Sequence, residues 1–328
     1  MCKRPIDAWQ HRFKVNENGN SIIVFQPQNS KDWKHILVNC SRCIDCRMDS
    51  SRKWAVRCLN ELEYWDEACF ITLTYKDEFL PRRVNYDTGE IAPALYRKHI
   101  VDFIKRLRTH LNRKHGINEI KVYYCGEYGS KTGRPHFHLL CFGYRPKDLK
   151  YYKCDRLGFR LYNSDELSSL WYSKVPNYDK KVRRKYNKEN MGFVVIGDVS
   201  FESCSYVARY IIKKQKADSE RYEVQTQELL GCSRGIGKKW FYDNYKTMYA
   251  NGFINYVHSG QIKKCGIPKY YDSLLKDLDS NLYREIKAER QRYISDYVDF
   301  SDLESQEKCL EYKNNKILKR SLDYEKNL

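Results

Sequence analysis

The stretch Arg134-Pro135-His136-Phe137-His138-Leu139-Leu140 sets two imidazoles one residue apart in an otherwise apolar run. Side chains alternate faces along a strand, so His136 and His138 share one face and Phe137 and Leu139 the other. Pro135 suits the first strand position, where its missing N–H costs little. Residues 120–127 read as a second strand, and residues 128–135, with two Gly and a Pro, as the connecting loop. An antiparallel hairpin with Glu127 opposite His136 sets Cys125 opposite His138, and opposed residues share a face. Glu127, His136 and His138 then converge at one end of the hairpin, where they could hold one divalent metal ion with open coordination positions. Non-haem iron oxygenases use the same donor set, but usually as His-x-Asp/Glu with a distant His. The basic charge of the chain favours a phosphate substrate over a small oxidisable one. Either histidine alone could simply sit on a wet sheet face.

Ser205-Tyr206-Val207-Ala208-Arg209-Tyr210-Ile211-Ile212-Lys213-Lys214 is the second chemical motif. On a helix, Tyr206 and Tyr210 share a face, with Lys213 and Lys214 one turn further on. Val207, Ala208, Ile211 and Ile212 form an apolar stripe expected to pack on a sheet, leaving the phenols outward. A phenol with a pKa of about 10 is a poor nucleophile at neutral pH. A neighbouring cation and a metal-polarised phosphate make it competent. Attack on a phosphodiester gives a phosphotyrosine ester and frees a 3′-hydroxyl, and a later hydroxyl can reverse the step and seal the strand. Alone, the pair is ordinary helix packing; the His-x-His strand upstream makes Tyr206 and Tyr210 candidate nucleophiles, with Lys213 or Lys214 stabilising charge.

Cys40-x-x-Cys43-x-x-Cys46 precedes a helical pattern carrying Cys58. A ferredoxin-type iron–sulfur run would need a cysteine where Ser50 stands. A structural Zn2+ could use Cys40, Cys43 and Cys46 with Cys58, Cys2 or His35; otherwise the thiols are free. Thirteen cysteines, an odd number, and no apolar stretch behind the first seven residues argue against a disulfide scaffold and a secretory signal.

The elements that must position these groups follow from periodicity. Residues 1–39 read as irregular. Trp54, Cys58, Leu62 and Trp65 mark a helix, and Phe70-Ile71-Thr72-Leu73-Thr74-Tyr75 is β-prone. Residues 94–111 form an amphipathic helix with Ile100, Phe103, Ile104 and Leu107 on one stripe. Residues 143–190 are basic, tyrosine-rich and poorly periodic. Their segment 174–190 holds seven Lys or Arg against two acids, so it is either a nucleic-acid contact loop or a solvated insertion. Arg134, Arg183, Arg184 and Lys185 are the candidate DNA contacts. A strand over 191–199, a helix over 203–216, a turn at 233–237 and an aromatic-rich helix over 239–249 follow. The last 55 or so residues are mixed-charge and helix-prone. The division is therefore 1–69 with the Cys cluster and a helix, a catalytic domain over 70–250 with an insertion at 143–190, and a helical extension over 251–328.

Lys and Arg outnumber Asp and Glu by 60 to 42, a net charge of +18 that calls for a polyanionic partner. The 28 tyrosines offer stacking surfaces for unpaired bases. No run of about 18 apolar residues occurs, so no membrane span is expected.

Together the motifs resemble the HUH endonuclease superfamily, and within it the replication initiators of microviruses, the small icosahedral single-stranded DNA phages (gokushovirus-like). Residues 70–75 are similar to the first motif strand, 134–138 to the metal-binding motif, and Tyr206-x-x-x-Tyr210-x-x-Lys213-Lys214 to the two-tyrosine motif. The resemblance covers roughly residues 40–250. It implies an α+β fold, an antiparallel central sheet flanked by helices (a ferredoxin-like palm) with the His-x-His strand central. It also implies Mg2+ or Mn2+ held by His136 and His138; Glu127 as third ligand rests on the hairpin geometry. The implied activity is a nick in single-stranded origin DNA, a 5′-phosphotyrosine link and rejoining, in rolling-circle replication in the cytoplasm of an infected bacterium. No G-x-x-x-x-G-K-[ST] loop is present, so strand separation falls to a host helicase or to the origin. A transposase or relaxase of the same superfamily is an alternative that the tyrosine pair disfavours. A non-catalytic single-stranded-DNA-binding protein is another.

Overall fold

A computed structural model describes residues 2, 4–17, 21–129, 132–155, 158–176, 186–213 and 229–297. The chain opens with strands β1 (Ile6–Val15), β2 (Ser21–Val24) and β3 (Trp33–Val38), then helix α1 (Ile44–Leu62) and β4 (Ala68–Leu73). A small hairpin of β5 (Arg82–Val84) and β6 (Ile91–Pro93) leads to α2 (Arg97–His115). Next come β7 (Lys121–Tyr128), β8 (Pro135–Phe142), β9 (Lys150–Cys154), β10 (Arg160–Asn163), the one-turn helix α3 (Asp165–Ser168), β11 (Tyr172–Pro176), β12 (Tyr186–Asn190) and β13 (Val194–Gly197). Helix α4 (Phe201–Lys213), β14 (Leu229–Cys232), α5 (Lys238–Asn251), β15 (Phe253–His258), β16 (Gln261–Gly266), α6 (Lys269–Leu278) and α7 (Ser280–Tyr297) complete the order.

The fold is α+β. Seven strands form one antiparallel sheet in the order β14-β7-β8-β4-β13-β10-β9. The His-x-His strand β8 lies inside it, paired with β7 on one side and β4 on the other. Alternation then sorts the side chains. Ile71, Leu73, Phe137, Leu139 and Cys141 face α2, whose Ile100, Phe103, Ile104, Leu107 and Leu111 are buried against them with Trp171. Burying each such side chain contributes about 1.5–3 kcal/mol, so this stripe, and not helix propensity, holds α2 in place. Gly116 ends α2 in the left-handed conformation, with its N–H on the Leu111 carbonyl.

Phe70, Tyr123, Cys125, Leu140 and Phe142 face the other way, against Ala55 and Cys58 of α1 and Cys204, Tyr206, Val207 and Ala208 of α4. A third cluster joins Val56 of α1 to Phe241, Met248, Ile254, Tyr271 and Leu275 of the C-terminal elements. Glu61 ties it to the rest. Its carboxylate accepts from the Gly237 N–H at 2.7 Å and from Trp65 Nε1 at 2.7 Å, and pairs with Lys121 Nζ at 2.9 Å. Gly237 needs its glycine, because φ is +73° and a Cβ would lie 2.4 Å from Tyr271 Oη.

Three segments differ from the sequence reading. Residues 6–38 are not irregular but form an antiparallel sheet, β2-β1-β3. Of its strand residues only Ala8 and His11 are buried, which leaves almost no hydrophobic pattern to read. Within 143–190, β9 and β10 extend the central sheet. β9 is an edge strand carrying Lys150 and Lys153, and charge on an edge masks strand periodicity. Residues 253–266 form a hairpin, not helix, turning through Ser259 (φ 52°) and Gly260 (φ 71°). Such a two-residue turn with both φ positive matches the twist of a hairpin.

Candidate metal centre and nucleophile

The hairpin register sets Glu127 opposite His136 and Cys125 opposite His138, the pairing that alternation predicts. Glu127 Oε1 lies 3.1 Å from Nε2 of His136 and 3.1 Å from Nε2 of His138. One donor atom from each of the three residues lies within 4.8 Å of the others. Glu127 and His138 are buried, while His136 is partly open, so the cluster has a closed floor and an accessible rim.

His138 is held by groups that the motif does not include. Thr72 stands opposite it on β4, and its Oγ1 lies 3.0 Å from His138 Nδ1, which directs Nε2 at Glu127. Phe70 stacks on the ring at 5.5 Å, nearly parallel. His136 Nδ1 lies 3.2 Å from the Arg134 carbonyl oxygen, which orients the other imidazole. The alternation Phe70-Thr72-Thr74 places a hydroxyl on the histidine face, a signal visible in sequence once the β4–β8 pairing is known.

Helix α4 supplies the phenol. Its start is fixed by a reciprocal pair: Ser203 Oγ accepts from the Ser200 N–H at 2.8 Å, and Ser200 Oγ from the Ser203 N–H at 3.3 Å. One turn later Tyr206 points down to the sheet. Its hydroxyl donates to Glu127 Oε1 and lies 3.4 Å from His138 Nε2, and its ring meets His138 edge-on at 4.8 Å. The expectation that this phenol faces outward is therefore corrected. Helix α4 is covered on two sides, by α1 and by the sheet, so an apolar stripe does not mark its only buried face. Tyr210 and Lys213 lie on α4, with side chains outside the described residues, and Lys214 lies outside them altogether.

Of the candidate DNA contacts, Arg134 donates to the Tyr75 carbonyl at 2.8 Å and to Asp77, which fastens the hairpin loop to the segment after β4. Arg183, Arg184 and Lys185 fall outside the described residues. A basic groove lined by Lys105, Arg106, Arg113, Lys114 and Lys188 runs along the outer side of α2, on the sheet face away from the histidines.

A second histidine cluster has a different character. His110, His115 and Glu166 converge, but Lys114 Nζ at 2.8 Å and Tyr144 Oη at 2.7 Å share the Glu166 carboxylate. Burial pushes that carboxyl's pKa up, yet the hydrogen bonds from Lys114, His110, Tyr144 and His115 outweigh it and hold the group well below its usual range. An ammonium already occupies this site, which makes it an ion-pair network.

Among the cysteines, Cys40, Cys43 and Cys46 converge, but Cys58 does not join them. It is fully buried between α1 and α4 beside Cys204, whose thiol is held protonated by burial and by the neighbouring Cys58. His35 also lies elsewhere, paired with Asp7 on the N-terminal sheet. Cys58 sits about three helical turns beyond Cys46 on α1, too far along the axis to reach the other sulfurs. Cys2 stands in its place.

Fold and site thus define an antiparallel-sheet protein with a two-histidine, one-carboxylate cluster beneath a helix-borne tyrosine. Residues 68–215 match the family model for replication-associated protein ORF2. The chain is 30% identical over 293 residues to replication-associated protein VP4 of Bdellovibrio phage phiMH2K, covering 88% of this chain and 81% of that protein. It is 30% identical over 304 residues to replication-associated protein ORF2 of Spiroplasma virus 4, covering 89% and 86%. With replication-associated protein ORF4 of Chlamydia phage 1 it shares 27% over 253 residues, covering 74% and 54%. The chain belongs to this family of microvirus-like replication-associated proteins. No solved structure matches it.

Proposed function

We propose that the chain starts rolling-circle replication of a phage genome by nicking single-stranded origin DNA with Tyr206. The observation that carries this reading is the Tyr206 hydroxyl seated on Glu127 and 3.4 Å from His138 Nε2. A buried tyrosine serving packing alone has no need of a carboxylate and two imidazoles at its hydroxyl. The donor set, one carboxylate oxygen and two imidazole nitrogens within 4.8 Å, fits a divalent ion such as Mg2+ or Mn2+. Held by Glu127, His136 and His138, that ion would polarise the scissile phosphate.

The chain's residues do the rest. Thr72 and the Arg134 carbonyl orient the two imidazoles. Tyr206 Oη attacks phosphorus and the P–O3′ bond breaks, which leaves a 5′-phosphotyrosine ester and a 3′-hydroxyl that has taken up the phenolic proton. Tyr210, one turn along α4, then cuts the regenerated origin while Tyr206 still holds the first 5′ end. The freed 3′-hydroxyl attacks the Tyr206 ester and closes the circle. Lys213 or Lys214 stabilises the charge that develops in these exchanges. A host helicase and replication machinery supply strand separation and synthesis.

The test uses labelled single-stranded origin DNA, Mn2+ and the full chain. Tyr206→Phe should lose most of the SDS-stable adduct, Tyr210→Phe should form it but release few closed circles, and the double variant should form none. Full cleavage and circle release by Tyr206→Phe would sink the mechanism. DNA binding with no adduct from the wild-type chain would leave a single-strand-binding protein.

A further inference from the structure

Cys2, Cys40, Cys43 and Cys46 bring four thiols to one point, from three separated parts of the chain. Cys2 precedes β1, Cys40 follows β3, and Cys43 and Cys46 frame the first turn of α1. All four sulfurs lie within 4.8 Å of one another. Cys2 Sγ is 3.5 Å from Cys40 Sγ and 3.9 Å from Cys43 Sγ. A disulfide would need about 2.05 Å, so these are not disulfide partners. Four thiolates around one zinc at about 2.3 Å occupy tetrahedron corners about 3.8 Å apart, a value the two distances bracket. A four-iron cubane spreads its thiolates over four metal atoms and needs a wider cage.

The backbone is arranged for sulfur as well. The Cys40 N–H donates to Cys2 Sγ at 3.4 Å, and the Cys43 N–H to Cys40 Sγ at 3.2 Å. Ser41, between the two, has φ +57°, an unusual conformation for a residue other than glycine, and it bends the Cys40–Cys43 turn back on itself. Cys43 stands at the N-cap of α1 without a side-chain cap bond, where the helix dipole favours thiolate charge.

The N-terminal sheet also requires a fastening. Among its strands only Ala8 and His11 are buried, and Phe13, Ile23 and Phe25 are exposed. A unit with so little core needs a staple.

We propose that Cys2, Cys40, Cys43 and Cys46 form a tetrathiolate zinc site that clamps both ends of the β2-β1-β3 sheet to the start of α1. Loading replaces four thiol protons with one Zn2+ and involves no redox change. The site is independent of the histidine cluster. Through α1, which packs on α4, it braces the helix that carries Tyr206.

The experiment measures metal in the full chain, purified without chelator and dialysed against zinc. We expect one tightly held zinc per chain, and a cobalt-substituted form with the intense visible bands of a tetrahedral thiolate complex. Cys40→Ser with Cys43→Ser should lose that zinc. Cys58→Ser should keep it, and so should His136→Ala with His138→Ala, which separates this site from the catalytic one. Native alkylation with mass spectrometry of the wild-type chain avoids dependence on variant folding. Cys2, Cys40, Cys43 and Cys46 should be protected and become reactive on chelation, while Cys58 and Cys204 stay protected in both states. Zinc well below one per chain, zinc retained by the Cys40/Cys43 variant, bound iron, or no change in alkylation on chelation would overturn the proposal.

Discussion

Thr72→Val isolates the group that aims His138. To face Glu127 and a metal through Nε2, a neutral His138 must carry its proton on Nδ1, and the acceptor there is Thr72 Oγ1 at 3.0 Å. Valine keeps the shape and removes the acceptor. His138 is 1% exposed, so water does not replace the lost partner. An unsatisfied buried donor costs about 1–3 kcal/mol, roughly 5- to 150-fold in an equilibrium constant. Loss of a metal ligand's outer partner typically costs about 10- to 100-fold in affinity, the same range. We therefore expect Thr72→Val to weaken Mn2+ binding by about 10- to 100-fold, measured from the free-ion electron paramagnetic resonance signal during titration. Adduct formation on single-stranded DNA should shift to higher Mn2+ by the same factor and recover at saturation. Thr72→Ser, which restores the hydroxyl, should return both close to wild type. Wild-type Mn2+ affinity in Thr72→Val, with the fold intact by thermal melting, would refute the reasoning.

Other expectations follow from the same geometry. His136→Ala with His138→Ala should bind single-stranded DNA normally and form no adduct; nicking at the wild-type rate would place the metal elsewhere. Glu61→Ala strands Lys121 and the Gly237 N–H in the interior, and should cost about 3–5 kcal/mol in urea unfolding. A loss below about 1 kcal/mol would mean the C-terminal elements are held without this pair. Affinity for single-stranded DNA should fall steeply with salt, and reversing Arg183, Arg184 and Lys185 should flatten that slope; an unchanged slope returns the segment to a solvated role. Stability should fall with acid in two windows. Burial lowers the His99 pKa, so the unfolded chain takes up that proton first and stability declines as pH drops below about 6.5. Glu166 is held ionised in the fold, so its contribution is complete above about pH 4.3 and lost as pH falls toward its depressed value. Glu166→Gln should remove the second window alone, as read by unfolding midpoints across pH.

Alternation along two short strands was enough to place Glu127, His136 and His138 on one face, because a strand has a fixed two-residue period and a hairpin has few registers. The stripe of α2 was equally legible, since Ile100, Phe103, Ile104 and Leu107 repeat at helical spacing. The N-terminal sheet, β9 and β10 were not. Their ladders are satisfied by distant strands and bury little, so no local pattern records them. Only the tertiary structure decided which way Tyr206 points. The helix period gives relative angles between side chains, but whether a face meets solvent, α1 or the sheet depends on what packs there. The same holds for Thr72, whose role exists only through its pairing with His138 across 66 residues. It holds for the sulfurs too: spacing grouped Cys40, Cys43 and Cys46, and the return of β1 and β3 to the start of α1 chose Cys2, not Cys58, as the fourth.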